Sequence, residues 1–156
     1  MGSLNSFTWT EFVSLYIHLA GFIIGLGAVT VIDLHGFLGR KSPYWTEATT
    51  RTHKVTKPLI WLGMTLAIMG AVDFHYQRGW TFSLAVQAAI MFVLIVNGVF
   101  LSFSVSPFLL RREREGRASE LLPAEMQKKI AVAFVLSFVG WWSELLLTVY
   151  QVLARR

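Results

Sequence analysis

The chain has 156 residues, 54% of them hydrophobic, no cysteine and a formal net charge of +5, with a mean hydropathy of +0.55. That is more apolar surface than one soluble core of this size hides, so lipid is the expected solvent, and the missing cysteines exclude disulfides, thiolate nucleophiles and iron–sulfur ligation. The positive charge would suit nucleic acid or anionic lipid, and its confinement to loops between apolar runs selects the lipid bilayer over nucleic acid.

The N-terminus has neither a basic leader nor a small-residue cleavage site, so the first apolar run is expected to stay in the mature chain. That run, 12–32, holds no formal charge and one histidine, His18. It is long enough to cross a hydrocarbon core of about 30 Å at about 1.5 Å per residue. The second run, 55–72, is the weakest; Lys57 can snorkel from its first turn and Pro58 follows. The third, 80–106, carries no charge and is expected to tilt or to end before Pro107. An Arg- and Glu-rich connector at 111–120 comes next, read as a solvated segment touching headgroups, and Pro123 with Ala124 and Glu125 suits the first turn of a short helix. That helix leads into the fourth run, 130–153, whose one charge is Glu144. The expectation is an all-α, single-domain, integral membrane four-helix bundle.

Loop charges orient the bundle, because cytoplasmic loops retain Lys and Arg during insertion. Arg40, Lys41, Arg51, Lys54 and Lys57 lie between the first and second runs; Arg111, Arg112, Arg114, Arg117, Lys128 and Lys129 lie between the third and fourth. The opposite side carries Arg78, Arg155 and Arg156. Both termini are therefore expected on the non-cytoplasmic side, where Trp9, Tyr76, Trp80 and Tyr150 supply interfacial rings.

Helices in lipid associate through small residues and hydrogen bonds, so polar and small side chains on one stripe mark the interior. Helical periodicity groups His18 with Gly21 and Gly25, and Glu144 with Ala133, Ser137, Gly140 and Thr148. The second run offers Thr56, Gly63, Ala67 and Gly70, and the third Asn97 and Ser104. His18 and Glu144 each sit on the order of 10 Å below the outer surface and can share a layer. Asp73 and His75 lie above it, and Asp33, His35, His53 and Lys54 form a second polar cluster at the cytoplasmic end.

Ionisable residues within a span are costly and usually serve a site. Three readings follow. Imidazole is the usual axial ligand of b-type haem, and glycines beside it would open a flat slot for the porphyrin. His18 leads the iron ligands, followed by His75, His53 and His35, with Gly21, Gly25, Gly63, Gly70, Ser137, Gly140 and Trp141 as the candidate lining. One haem is expected, and an outer pair (His18, His75) and an inner pair (His35, His53) leave two conceivable. In the second reading Glu144 transfers protons beside His18 in a quinone or transport site. In the third the polar residues only fix helix register in a non-enzymatic subunit or assembly factor, as a homo-oligomer or within a larger membrane complex.

His18 in the first span, the glycines Gly21, Gly25 and Gly27 after it, the Lys57-Pro58 opening of the second span and four spans in this length resemble a superfamily of small bacterial membrane proteins. It includes the HemJ-type protoporphyrinogen oxidases and the CopD-like copper-resistance membrane domains. The resemblance covers the spans and implies a multi-pass protein of the bacterial inner membrane that binds haem b through His18. Protoporphyrinogen oxidation is one activity it implies; Asp33 stands where that pattern has a basic residue. The function expected is electron transfer or haem-linked redox chemistry as a membrane oxidoreductase, with a quinone or a redox protein as partner.

Overall fold

Thr8 opens the first helix with a reciprocal cap. Its hydroxyl accepts from Glu11 N at 3.2 Å and the Glu11 carboxylate accepts from Thr8 N at 3.0 Å, satisfying two end donors that lack helical partners. The structure, a computed structural model, describes residues 8–76 and 80–154, with 73–76 as backbone only. Helix α1 spans Trp9–Gly39 and α2 spans Pro43–Tyr76. Helix α3 (Phe82–Phe100), a π-helical turn (Leu101–Val105) and α4 (Ser106–Arg114) form one continuous rod, and α5 runs Ala124–Leu153. The described residues contain no strand.

Four stretches are long and apolar enough to cross a membrane: Trp9–Gly39, Pro43–Val72, Phe82–Arg114 and Ala124–Leu153. Burial is inverted relative to a water-soluble bundle. Ser14, His18, Gln87, Asn97, Ser137, Glu144 and Thr148 are buried, while Phe12, Ile23, Phe92, Phe103 and Leu146 are exposed. Apolar side chains cover the outside, and the interior combines these polar groups with an apolar core of Phe22, Val29, Met64, Leu94 and Trp141, as expected of a bundle in hydrocarbon. The chain is an all-α, multi-pass membrane protein.

Three expected boundaries move. The second helix starts at Pro43, well before 55, and the threonines of these added turns, Thr46, Thr49 and Thr50, are buried with their hydroxyls returned to carbonyls one turn back, as is Thr56. Thr46 Oγ1 also donates to Gly39 O at 2.7 Å, locking the α1–α2 hairpin. The third helix does not stop at Pro107. Pro107 lacks an N–H and crowds the preceding turn, and the helix absorbs this by widening into the π turn. Pro123 caps α5 directly, so the short lead-in helix is the first turns of α5 itself.

The 111–120 connector is folded on Arg112 rather than merely solvated. The guanidinium Nη2 donates to Glu120 O at 2.9 Å, Leu121 O at 3.3 Å and Arg117 O at 3.5 Å. Gly116 turns the chain there with φ 73°, a conformation L side chains rarely adopt.

Helices α1 and α2 form the most extensive contact in the molecule. Glycines permit it. A Cβ on Gly21 would lie 2.6 Å from Gly63 O, and one on Gly63 would lie 2.6 Å from the Gly25 Cα. The backbones touch, in the small-residue manner of helix pairs in lipid. Helix α5 packs on α1 and on α3, whereas α2 and α3 scarcely meet, leaving a cleft between them. Near the hairpin end Trp61 bridges this cleft, its ring over Gly98 and its Nε1 donating to Ser102 Oγ at 3.2 Å.

Candidate functional site

The cleft between α2 and α3 has a polar floor toward the end where α1 begins and α5 ends. Ile68, Ala71 and Val72 of α2 and Leu84, Ala88, Met91 and Ile95 of α3 make apolar walls; His18 from α1, Gln87 from α3 and Glu144 from α5 converge beneath them. The cavity measures about 600 Å³. His18 and Glu144 are each 2% exposed.

His18 is held at both ring nitrogens. Nδ1 lies 2.6 Å from Ala67 O on α2, and Nε2 lies 3.0 Å from Thr148 Oγ1 on α5. A carbonyl only accepts, so Nδ1 carries the proton, and in the neutral ring the lone pair sits on Nε2. Thr148 accepts from Gln87 Nε2 at 3.1 Å and donates its own hydroxyl proton to that lone pair. Gln151 Nε2 extends the network, donating to Gln87 Oε1 at 2.8 Å. Glu144 is the member left incomplete: its Oε1 is buried and has no hydrogen-bond partner.

The fit of this layer to haem has two parts. Nδ1–H on a backbone carbonyl with the lone pair on Nε2 is the arrangement that would fix a metal-ligating imidazole, and here Thr148 Oγ1 is the partner of that lone pair. The expected slot, however, is not on the His18–Gly21–Gly25 face. Gly21, Gly63 and Gly70 are consumed by the close approach of α1 and α2. At Gly25 the ring of Trp141 fills the space a Cβ would need. Gly140 lies under Leu94, and Ser137 accepts from Asn97 Nδ2 at 2.8 Å. The open volume beside His18 is the α2–α3 cleft, lined by alanine and larger apolar residues.

The hairpin end carries a second, smaller cavity of about 270 Å³. Asp33, His53, Lys57 and Trp61 line it together with Gly36, Gly98 and apolar residues of α4 and α5. Asp33 Oδ2 and His53 Nε2 are buried without partners. Lys57 Nζ reaches Ser102 O and Ser106 Oγ, both at 3.5 Å. His35 lies outside this cavity, its ring centroid 5.2 Å from that of Trp45 and its Nδ1 unpartnered. The inner histidine pair is thus not assembled around one space. Lys54 bonds Glu113 at 2.8 Å, closing α2 against α4. The side chains of Asp73 and His75 lie outside the described residues.

His18 and Glu144 do share a layer, as their depth implies, through a common cavity rather than a direct bond. Asn97 reaches α5 instead of the hairpin cluster, donating to Ala133 O at 2.9 Å. Sequence reasoning missed Gln87 and Gln151 as site residues; the available signal was an amide within the outer turns of each of these two spans. Comparison with family models, with curated proteins and with solved structures finds no match to this chain.

Proposed function

We propose that this chain is a membrane-embedded haem b protein serving electron transfer or haem-linked redox chemistry, with His18 as the axial ligand. The observation that carries the reading is the His18 imidazole, which lines an apolar cleft with Nδ1 fixed to Ala67 O and its Nε2 lone pair held only by the Thr148 hydroxyl. Bound haem supplies one-electron chemistry. The chain supplies the rest. His18 Nε2 would hold the group once free of Thr148, Met91 and Ile95 would shield it from water, and Glu144, a buried carboxyl lining the same cleft, could hold a proton. The resemblance to the HemJ-type and CopD-like proteins supports the same ligand. In this reading both termini face outward from a bacterial inner membrane, which sets the Arg- and Lys-rich hairpin and the 111–120 connector in the cytoplasm.

The test is an absorption spectrum of the full chain purified in detergent from haem-replete cells. A Soret band whose pyridine derivative identifies b-type haem, abolished in His18→Ala and kept in His53→Ala, is the expected result. Colourless wild-type protein, or a band indifferent to His18, overturns the reading.

A further inference from the structure

The hairpin-end cavity is separate from the His18 cleft and has its own incomplete chemistry. Two polar atoms that line it from different helices, Asp33 Oδ2 on α1 and His53 Nε2 on α2, are buried without hydrogen-bond partners. Each such atom costs stability when unpaired, so a ligand that completes both would bind with gain at this cavity. Of the other polar members of the lining, Thr46, Thr49 and Gln127 already donate to backbone carbonyls; the remainder is mainly apolar, with the indole of Trp61 bonded in place through Ser102. Phe37 and Val135 line the cavity and are exposed, which offers an apolar tail an apolar way out beside the Arg40 guanidinium, 4.1 Å from the centre of the Phe37 ring.

These features select among ligands. A phosphate headgroup would need the two cations of the lining, but Lys57 already has Ser102 and Ser106 as partners, and the Arg40 guanidinium donates to Phe37 O and lies over the Phe37 ring. A metal ion lacks donors, since no group of three His, Asp or Glu side chains converges among the described residues. A flat ring bearing hydroxyls at both ends, with an apolar tail, satisfies everything present. One hydroxyl donates to Asp33 Oδ2, the other meets His53 Nε2 as donor or acceptor, the ring packs on Trp61, and the tail leaves past Phe37 and Val135. The π turn serves this cavity too, because it holds Ser102 where Trp61 and Lys57 reach it. We propose that the hairpin-end cavity binds the ring of a lipid-soluble quinol, with Asp33 and His53 as its two hydrogen-bonding contacts. This site does not depend on haem at His18.

The experiment titrates decylubiquinol, kept reduced with dithionite, into the full chain in phosphatidylcholine nanodiscs and follows tryptophan fluorescence. Wild-type protein should show saturable quenching, largely lost in Trp61→Phe. Asp33→Asn and His53→Ala should each weaken binding about tenfold, the loss of one hydrogen bond to a buried group. Because neither side-chain atom has a protein partner to lose, both variants should keep the wild-type melting temperature, and His18→Ala should bind the quinol normally even if it loses haem. Quenching that only follows partition into the bilayer, or affinity unchanged in both Asp33→Asn and His53→Ala, overturns the proposal; the latter outcome would mean that only water completes these atoms.

Discussion

Lys57 Nζ lies 3.5 Å from the carbonyl oxygen of Ser102, an oxygen that the α3–α4 rod leaves without a backbone donor. In an α-helix that carbonyl would accept from Ser106 N, which here is diverted to Leu101 O. The next nitrogen along the rod belongs to Pro107 and has no hydrogen. A lysine from another helix therefore completes the ladder of α3. Lys57→Met should destabilise the protein by about 1–2 kcal/mol. In a Pro107→Ala background, where residue 107 can donate, the same substitution should cost about half as much. Thermal unfolding of the four proteins in one detergent measures the coupling, and additive effects would show that Lys57 and Pro107 act independently.

The glycines divide by what stands over them. A Cβ on Gly21 would press on the Gly63 carbonyl and the Ala67 backbone, whereas one on Gly27 would meet nothing within 4 Å. Backbone atoms cannot rotate aside, so α1 and α2 must separate. Gly21→Ala should cost about 1–3 kcal/mol by overpacking. Gly27→Ala, in mid-helix and unopposed, should be neutral or stabilise by up to about 1 kcal/mol. Equal melting temperatures for the two variants would rule out backbone contact at Gly21.

Thr148 competes for the lone pair that the haem reading assigns to iron. Thr148→Val removes the hydroxyl at 3.0 Å from His18 Nε2 and leaves the Nδ1 anchor to Ala67 intact. The apo protein should lose about 1 kcal/mol of stability while its affinity for added hemin rises roughly fivefold, the equivalent of one released hydrogen bond. Hemin titration by absorbance checks this. Weaker binding in Thr148→Val would mean that Thr148 helps hold the ligand instead of blocking it.

Hydrophobic runs and helical periodicity are enough to locate four crossings and the small, polar stripes, because in lipid those stripes have few alternatives to facing one another. The same periodicity cannot say what a glycine faces. Gly21 and Gly25 read equally well as a slot for a flat ligand or as a seam for another helix, and the difference lies in Gly63, Ala67 and Trp141, which are far away in sequence. The π turn was hidden for a related reason. Pro107 signals an interruption, but whether a helix ends or widens depends on a partner such as Lys57 being ready to take the freed carbonyl. Depth alone paired His18 with Glu144, whereas Gln87 and Gln151 enter the layer only once α3 and α5 are in register.

Arg112 holds the connector between α4 and α5 from the inside, its side chain 8% exposed and its Nη2 shared among the carbonyls of Arg117, Glu120 and Leu121. These bonds all leave Nη2, which lies one bond further from the backbone than a lysine Nζ, so an ammonium does not reach the same carbonyls. Arg112→Lys should therefore free the 115–122 segment to proteolysis almost as fully as Arg112→Ala, while Arg111→Ala, without such bonds, should leave it protected. Limited trypsin digestion of sealed vesicles of known orientation reads both effects, and wild-type protection in Arg112→Lys would show that charge alone organises the loop.

Glu144 gives the sharpest contrast between packing and function. An ionisable side chain 2% exposed, with Oε1 unpartnered, subtracts from stability in a bundle that apolar residues would hold as well. If it is kept for chemistry, Glu144→Leu should raise the melting temperature, by about 1–3 kcal/mol of added stability. The neutral isostere Glu144→Gln should stay within about 1 kcal/mol of the wild type, because an amide keeps the shape and the polar contacts. Both should retain His18-dependent colour, since neither alters the Ala67 anchor. A Leu variant that unfolds more easily would mean that the carboxyl is structural glue between α3 and α5, and Glu144 would then drop out of the site.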